Sequence, residues 1–390
     1  MVSKLKKIIG SLALTIMILG LTGCQSLTIV PTQSKEINPS LVVDWITPTI
    51  DGEFKIHRKM TRMSPLLTSD LVFQSNNIDS IVAIKRSSGK ILWSRKFKGG
   101  VEAGAELFRD LLFVAANDGT VTALKATSGD VVWTFSSSSE NVSVPVLDPS
   151  SGLLYFQNSQ NILFCLEADS GRQVWVFSRP DNSLMTIRGS SSPVLRDGVV
   201  FAGFSEGSFV ALRGANGQLI WEQTLNRNKK FRDIDARAVV SGSQIFIAGY
   251  DDKLYSLRAD NGQILWSYPS GSYSAVSLDK SHLYLSTTNS EVIKLTQESG
   301  ELVWKFTAVK GLATQVEFYK SWILFGESQG SLVFLNAETG LYAMSFNTGR
   351  GIFAQPKVDA PLSEIFAVSN EAYVYKFDIS KNKSAFPWIK

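Results

Sequence analysis

The chain carries few residues that could hold a metal ion or perform catalysis. Of its 390 residues only two are histidines, His57 and His282, and neither has a cysteine or a second histidine nearby. A zinc site needs three or four convergent ligands. Asp251 and Asp252 are adjacent carboxylates, but they fall in a polar turn, where Asp is favoured for backbone reasons. No P-loop, dinucleotide fingerprint or nucleophile elbow occurs. We therefore predict no catalytic residue, no metal site and no cofactor.

The two cysteines have different surroundings. Cys24 follows three lysines and the apolar residues 8–21, which are too few to span a bilayer but suit a signal-peptide core. Small residues lead directly to Cys24, which resembles a bacterial lipobox. That resemblance implies cleavage before Cys24 and lipidation (including palmitate) of this residue, and Gln25 suggests sorting to the outer membrane. Cys165 lies in an apolar run, and we expect it to be a buried, unreactive side chain.

A tryptophan recurs down the chain, each time four residues after a glycine. The pairs are Gly89/Trp93, Gly129/Trp133, Gly171/Trp175, Gly217/Trp221, Gly262/Trp266 and Gly300/Trp304. Successive intervals of 40, 42, 46, 45 and 38 residues are typical of propeller blades. A seventh copy ends at Met344, and we expect the lost tryptophan to weaken one junction. Short apolar runs between Asn-Asp-Gly and Ser-Gly turns predict antiparallel strands in each copy.

The strand count predicts how the ring closes. An apolar run occurs before the repeated turn eight times, but the tryptophan-type strand follows only seven of these runs. The missing strand is residues 41–45, which end at Trp45. If that strand completes the last blade, the ring has no open blade edge. We predict an all-β, eight-bladed β-propeller of four-stranded antiparallel blades, closed by the N-terminal strand, with the tryptophans packing between blades.

The domain boundaries and the charge follow from these features. We expect a lipoprotein signal peptide over 1–23, the lipidated cysteine and a flexible tether over 24–40, the propeller over 41–380 and a tail over 381–390. Removing residues 1–23 takes away three lysines and no acid, so the net charge of +4 becomes +1. A nearly neutral chain argues against a nucleic-acid partner, which needs a concentrated basic face.

The two longest intervals are consecutive, and each contains an insertion. The insertions are residues 179–193 and residues 225–237. Each connects the outer strand of one blade to the inner strand of the next. Neighbouring blades place equivalent connections on the same face, so we expect the two insertions to lie side by side.

Five residues of these insertions form a candidate docking surface. The first insertion offers the apolar Met185 and Ile187 beside Arg188, and the second insertion offers Asp233 and Asp235. Apolar anchors beside charge, with Arg among them, are typical of protein interfaces. A second interpretation stays open, in which Arg188 pairs with Asp233 or Asp235 and braces the two loops.

Over essentially the whole chain after residue 23, the sequence resembles the BamB family. Members are lipoprotein subunits of the outer-membrane β-barrel assembly machinery. Quinoprotein-like propellers share the Gly-x-x-x-Trp repeat, so the specific matches are residues 187–189 with 192–193, residues 231–235, and residues 326–330 with 335–340. Two departures stand out: Met185 replaces a typical leucine, and residues 236–238 (Ala-Arg-Ala) replace a stretch of small residues and proline.

The resemblance implies a function and a site. By position, Met185, Ile187, Arg188, Asp233 and Asp235 are expected to bind BamA through its periplasmic POTRA domains. The protein would then be a non-enzymatic scaffold, lipid-anchored at the periplasmic face of the outer membrane. It would help unfolded β-barrel clients reach BamA, with strand addition to a blade edge as a second mode of contact.

Two alternatives differ from this interpretation. One is a pyrroloquinoline-quinone-type dehydrogenase, a class that resembles this chain in fold. Those enzymes are longer, carry calcium-binding carboxylates and often have a vicinal disulfide, and this sequence has no Cys-Cys pair. The other is an unrelated surface-binding lipoprotein from a bacterium without an outer membrane.

Overall fold

Thirty-two β-strands are the regular elements of the described chain. The computed structural model describes residues 40–50, 62–76, 78–102, 104–179, 191–226, 233–234, 236–250 and 253–379. The first seventeen strands are β1 (Val42–Pro48), β2 (Leu66–Leu67), β3 (Leu71–Asn76), β4 (Ser80–Lys85), β5 (Ile91–Lys96), β6 (Gly104–Phe108), β7 (Leu111–Ala115), β8 (Thr120–Lys125), β9 (Val131–Ser136), β10 (Val146–Asp148), β11 (Leu153–Gln157), β12 (Ile162–Glu167), β13 (Gln173–Ser178), β14 (Val194–Arg196), β15 (Val199–Gly203), β16 (Ser208–Arg213) and β17 (Leu219–Thr224). The remaining strands are β18 (Val239–Ser241), β19 (Gln244–Ala248), β20 (Leu254–Arg258), β21 (Ile264–Tyr268), β22 (Ser277–Leu278), β23 (His282–Ser286), β24 (Val292–Thr296), β25 (Leu302–Phe306), β26 (Glu317–Tyr319), β27 (Trp322–Gly326), β28 (Leu332–Asn336), β29 (Tyr342–Phe346), β30 (Lys357–Asp359), β31 (Glu364–Val368) and β32 (Tyr373–Asp378).

These strands form eight antiparallel sheets of four strands each. Seven sheets use consecutive strands, from β2–β5 through β26–β29. The eighth has the order β1-β32-β31-β30, so the N-terminal strand completes the last blade. The register places Trp45 opposite Lys376 and Ile46 opposite Tyr375. The prediction of an eight-bladed propeller closed by the N-terminal strand is confirmed. Within the described ranges, no helix is long and apolar enough to cross a membrane.

Each repeated tryptophan joins its blade to the next one. The indole Nε1 of Trp93 donates to the carbonyl oxygen of Ala126 at 3.0 Å. The ring lies on Gly129, where an added Cβ would come within 2.7 Å of the indole and where φ is +74°. Only glycine fits that turn without strain. The same donation joins Trp133 to Ala168, Trp175 to Gly214, Trp221 to Ala259, Trp266 to Gln297, Trp304 to Ala337 and Trp45 to Arg86.

The last of these contacts closes the ring. Trp45 lies on β1 in the eighth blade, and its Nε1 donates to the Arg86 carbonyl of the first blade at 2.9 Å. Thr47 Oγ1 donates to the carbonyl of Gly89 at 2.6 Å. The first and last blades are therefore joined by the same contact as the others, with one additional hydrogen bond.

Met344 occupies the position of the missing tryptophan. In the other blades the indole lies on the turn between the third and fourth strands of the next blade. In the eighth blade these strands are β32 and β1, which are not consecutive in the chain, so no turn links them. The substitution therefore removes a side chain that would have no turn to contact. Phe346 packs edge-on against Phe377, with ring centroids 4.9 Å apart, as Phe135 and Phe306 pack against the next blade at other junctions.

A buried ionic network lies at the closure. The Arg86 side chain is only 7% exposed, and its Nε donates to Glu364 Oε2 at 2.8 Å. Its other nitrogens donate to the Asp359 carboxylate and to the Thr68 carbonyl. Glu364 also pairs with Lys376 Nζ at 2.6 Å. The corresponding carbonyl acceptors in the other blades belong to small residues or glutamine, so this network is specific to the closure.

We expect Arg86→Met to lower the free energy of unfolding by about 3 kcal/mol, because it removes the buried cation of Asp359 and leaves Glu364 with Lys376 alone. Arg86 holds the pKa of Asp359 below its usual value. A depressed folded pKa stabilises the fold above the usual Asp value, and this stabilisation disappears as the pH falls further. Urea unfolding should therefore show a difference between variant and wild type that shrinks below about pH 4.

Arg172→Met is the matched control. Arg172 is 68% exposed and pairs with Glu167 at the surface, where an ion pair contributes little. We expect no measurable change in its unfolding midpoint. Equal stability of Arg86→Met and wild type at neutral pH would contradict a structural role for the network.

Candidate functional site

The described ends of the two insertions touch each other. Ser191, at the end of the first insertion, donates its Oγ to the carbonyl oxygen of Ala236 in the second at 3.1 Å. The neighbouring Ser192 Oγ accepts from the backbone nitrogen of Val144 in the previous connection at 2.8 Å. The side-by-side placement expected from the blade order is therefore confirmed for these ends.

The second insertion is anchored by Asp233 and Ile234. Asp233 is fully buried, and its carbonyl accepts from the Tyr250 nitrogen at 3.4 Å. Ile234 is 1% exposed and packs onto Gly203, where an added Cβ would lie 2.6 Å from the Ile234 side chain. A larger residue at Gly203 would push this segment away from the fourth blade. The contact therefore fixes the position of the residues on either side of Ile234.

Asp233 is the one member of the predicted docking surface that the structure describes. Met185, Ile187, Arg188 and Asp235 lie outside the described residues. Their role in docking stays a prediction. The buried position of Asp233 fits the bracing interpretation for that residue better than direct display to a partner.

Other residues named from the sequence are also accounted for. Cys24, His57, Asp251 and Asp252 lie outside the described residues. His282 lies at the start of β23, with Nδ1 3.3 Å from Asp279 Oδ1.

The expected burial of Cys165 is confirmed. Its side chain has no solvent exposure, and burial raises the pKa of the thiol to about 12. A thiol with that pKa stays protonated and unreactive at neutral pH.

A cavity of about 730 Å³ lies where the blades meet. All eight blades or their connections contribute to its wall, which places it on the axis of the ring. Charged and aromatic residues are among the contributors, namely Arg62, Glu102, Glu106, Arg237, Tyr250, Tyr273, Phe353 and Lys357. The cavity therefore contains several ionisable groups close to one another.

Two charges on the cavity wall have local partners. Arg62 Nε lies 3.6 Å from Glu102 Oε1, and Lys357 Nζ lies 2.7 Å from Glu317 Oε1. The charges of Arg62 and Lys357 are therefore each balanced by a nearby carboxylate.

Glu106 and Arg237 differ from these pairs. Burial raises the pKa of Glu106, and the positive charge of Arg237 opposes that shift only in part. Burial lowers the pKa of Arg237, although its side chain is exposed to the space of the cavity. Glu106 is half-buried and Arg237 is exposed, and the pKa of each group is affected by the charge of the other.

The acidic groups of the cavity do not form a metal site. In the part of the chain that the structure describes, no three His, Cys, Asp or Glu side chains converge as metal ligands would. The cavity carboxylates that have partners are paired with cations.

Comparison with known proteins identifies the family. A profile of the family described as outer membrane protein assembly factor BamB matches residues 77–306. This chain belongs to that family. An outer membrane protein assembly factor BamB from Legionella pneumophila is 24% identical over 359 residues, covering 90% of this chain and 92% of that protein. The resemblance to the BamB family that the sequence indicates is therefore confirmed.

Solved structures support the fold. The crystal structure of BamB from Moraxella catarrhalis matches with a TM-score of 0.74 at 16% identity, covering 87% of this chain and all of that one. A quinohemoprotein alcohol dehydrogenase from Pseudomonas putida matches with a TM-score of 0.72 at 10% identity, covering 90% of this chain and 79% of that one. At this identity both likenesses concern the fold alone.

Sequence reasoning did not single out Glu106 or assign a role to Arg237. Glu106 is a carboxylate on an inner strand, and Arg237 stands in the three residues that depart from the family pattern. The sequence shows that both residues are charged. It does not show that both line one cavity, because that depends on which blades face each other across the axis.

We expect Glu106→Gln to raise the stability of the fold at neutral pH. Because the folded chain raises this pKa, ionisation of Glu106 opposes folding, and the cost disappears once the pH falls below its usual value of 4.5. Thermal unfolding should show a higher midpoint for the variant at about pH 7 and the same midpoint as wild type at about pH 3. A variant less stable than wild type at neutral pH would show that the carboxylate is a structural brace instead.

Proposed function

We propose that this protein is a non-enzymatic, lipid-anchored scaffold of the outer-membrane β-barrel assembly machinery. It binds BamA and assists the folding and insertion of β-barrel proteins. Cys24 carries the lipid that holds the propeller at the periplasmic face of the outer membrane. Membership of the BamB family is the observation that carries the proposal.

The docking surface for BamA comprises Met185, Ile187, Arg188, Asp233 and Asp235. The hydrogen bond from Ser191 to Ala236 supports this assignment, because it ties the ends of the two insertions that supply these residues. Two insertions held together can offer one continuous surface to the POTRA domains.

Within that surface the aspartates have different roles. Asp233 is buried, so it holds the second insertion in shape, and Asp235 follows the anchored Ile234. Arg188 and Asp235 are then the charged residues that contact BamA. Charged pairs that lose water at an interface have large effects when one partner is truncated.

The outer strands offer a surface for unfolded clients. In the described part of the ring each blade ends in an edge strand, and these strands carry exposed apolar pairs such as Leu219 with Ile220 and Leu302 with Val303. An extended client strand could pair with such an edge through backbone hydrogen bonds while its apolar side chains contact these pairs.

The test is co-purification of BamA with the tagged lipoprotein from detergent-solubilised membranes. We expect Arg188→Ala and Asp235→Ala each to reduce recovered BamA by about tenfold or more, as for charged residues at the centre of an interface. Membrane association and the thermal midpoint should not change.

Arg258→Ala serves as the control, because Arg258 pairs with Asp260 at a turn between third and fourth strands, on the opposite face. It should recover BamA as wild type does. Full recovery with both site variants would refute the site, and failure of the wild type to recover BamA would refute the function.

A further inference from the structure

Glu106 and Arg237 are opposite charges that line one cavity without pairing. We propose that the central cavity binds a short peptide-like zwitterion, whose cationic nitrogen meets the Glu106 carboxylate and whose carboxylate meets the Arg237 guanidinium. This inference is independent of BamA docking, because it concerns the axis of the ring and not the surface of the insertions.

The first observation is the lack of internal partners. Among the described residues, no hydrogen bond or ion pair holds the side chain of Glu106 or that of Arg237, and no nitrogen–oxygen contact within 4.0 Å joins them. The other cavity cations, Arg62 and Lys357, each have a carboxylate within this limit. An unpaired charge on the cavity wall is available for a charge-assisted hydrogen bond with a ligand of opposite charge.

The second observation is the placement of the two groups. Glu106 lies on β6 in the second blade, whereas Arg237 lies two residues before β18 in the fifth blade. Two blades, the third and the fourth, lie between them, so they enter the cavity from different sides of the axis. They interact electrostatically across the space between them. A ligand that fills this space would meet one positive and one negative group at its two ends.

The size and the wall of the cavity suit a peptide. Its volume of about 730 Å³ lies within the usual range for ligand pockets, about 300–1,000 Å³. Val144 and Phe353 are apolar residues of the wall, and Gln315, Gln329 and Tyr250 are polar residues of the same wall. Amides both donate and accept hydrogen bonds, as a peptide backbone requires.

A ligand with a single charge fits less well. A simple cation bound at Glu106 would be repelled by Arg237, and a simple anion bound at Arg237 would be repelled by Glu106. A zwitterion satisfies both groups at once.

Isothermal titration calorimetry on the full-length, detergent-solubilised protein tests the proposal. The probes are the free dipeptide Ala-Ala, the end-blocked peptide Lys-Ala-Ala-Glu and the end-blocked uncharged peptide Gln-Ala-Ala-Gln. We expect at least one of the two zwitterionic probes to bind and the uncharged peptide not to bind. Binding of Ala-Ala alone identifies a small free ligand, and binding of the blocked peptide identifies a segment of a longer chain.

The variants Glu106→Gln and Arg237→Gln should each weaken binding of that probe by about tenfold or more, since each removes one charged hydrogen bond. Glu102→Gln is the matched control, because its carboxylate lines the same cavity but already pairs with Arg62. Its affinity should stay within about twofold of wild type. No binding of either zwitterion, equal binding of the uncharged peptide, or wild-type affinity in both site variants would overturn the proposal.

Discussion

The contact between an indole and the turn of the next blade is the interaction on which the rest of the structure depends. Each blade alone exposes apolar faces, and stacking on its neighbours buries them. The tryptophan ring covers a turn that has a glycine at the position beneath the indole, where a side chain would clash with the ring. The indole nitrogen donates to a carbonyl of the same turn. This contact fixes both the spacing and the orientation of adjacent blades.

This contact also decides where function can lie. The turns between third and fourth strands are covered by tryptophans, so each of these turns keeps a glycine beneath the indole. The connections between blades, on the opposite face, are free of that constraint. Both long insertions lie there, and so does Arg237 at the edge of the cavity. A propeller of this type therefore separates the face that holds the ring together from the face that can acquire binding residues.

The eight apolar runs before the repeated turn were enough to predict the blade count, and the eighth run, which no tryptophan strand follows, was enough to predict closure by Trp45. Both depend on local patterns that recur along the chain. The network around Arg86 could not be predicted, because it joins residues from the two ends of the chain. The burial of Asp233 could not be predicted either, because an aspartate in a polar insertion is usually exposed. That Glu106 and Arg237 line the same cavity could not be predicted either, because it depends on the circular order of the blades.

The ring closure and the central cavity hold charged groups in two different arrangements. At the closure, Arg86 meets two carboxylates and Lys376 meets Glu364, so the burial of charge is offset by direct hydrogen bonds. On the axis, Glu106 and Arg237 are held apart by the blades that carry them. A rigid ring keeps these charges separated, and that separation leaves room for a ligand between them.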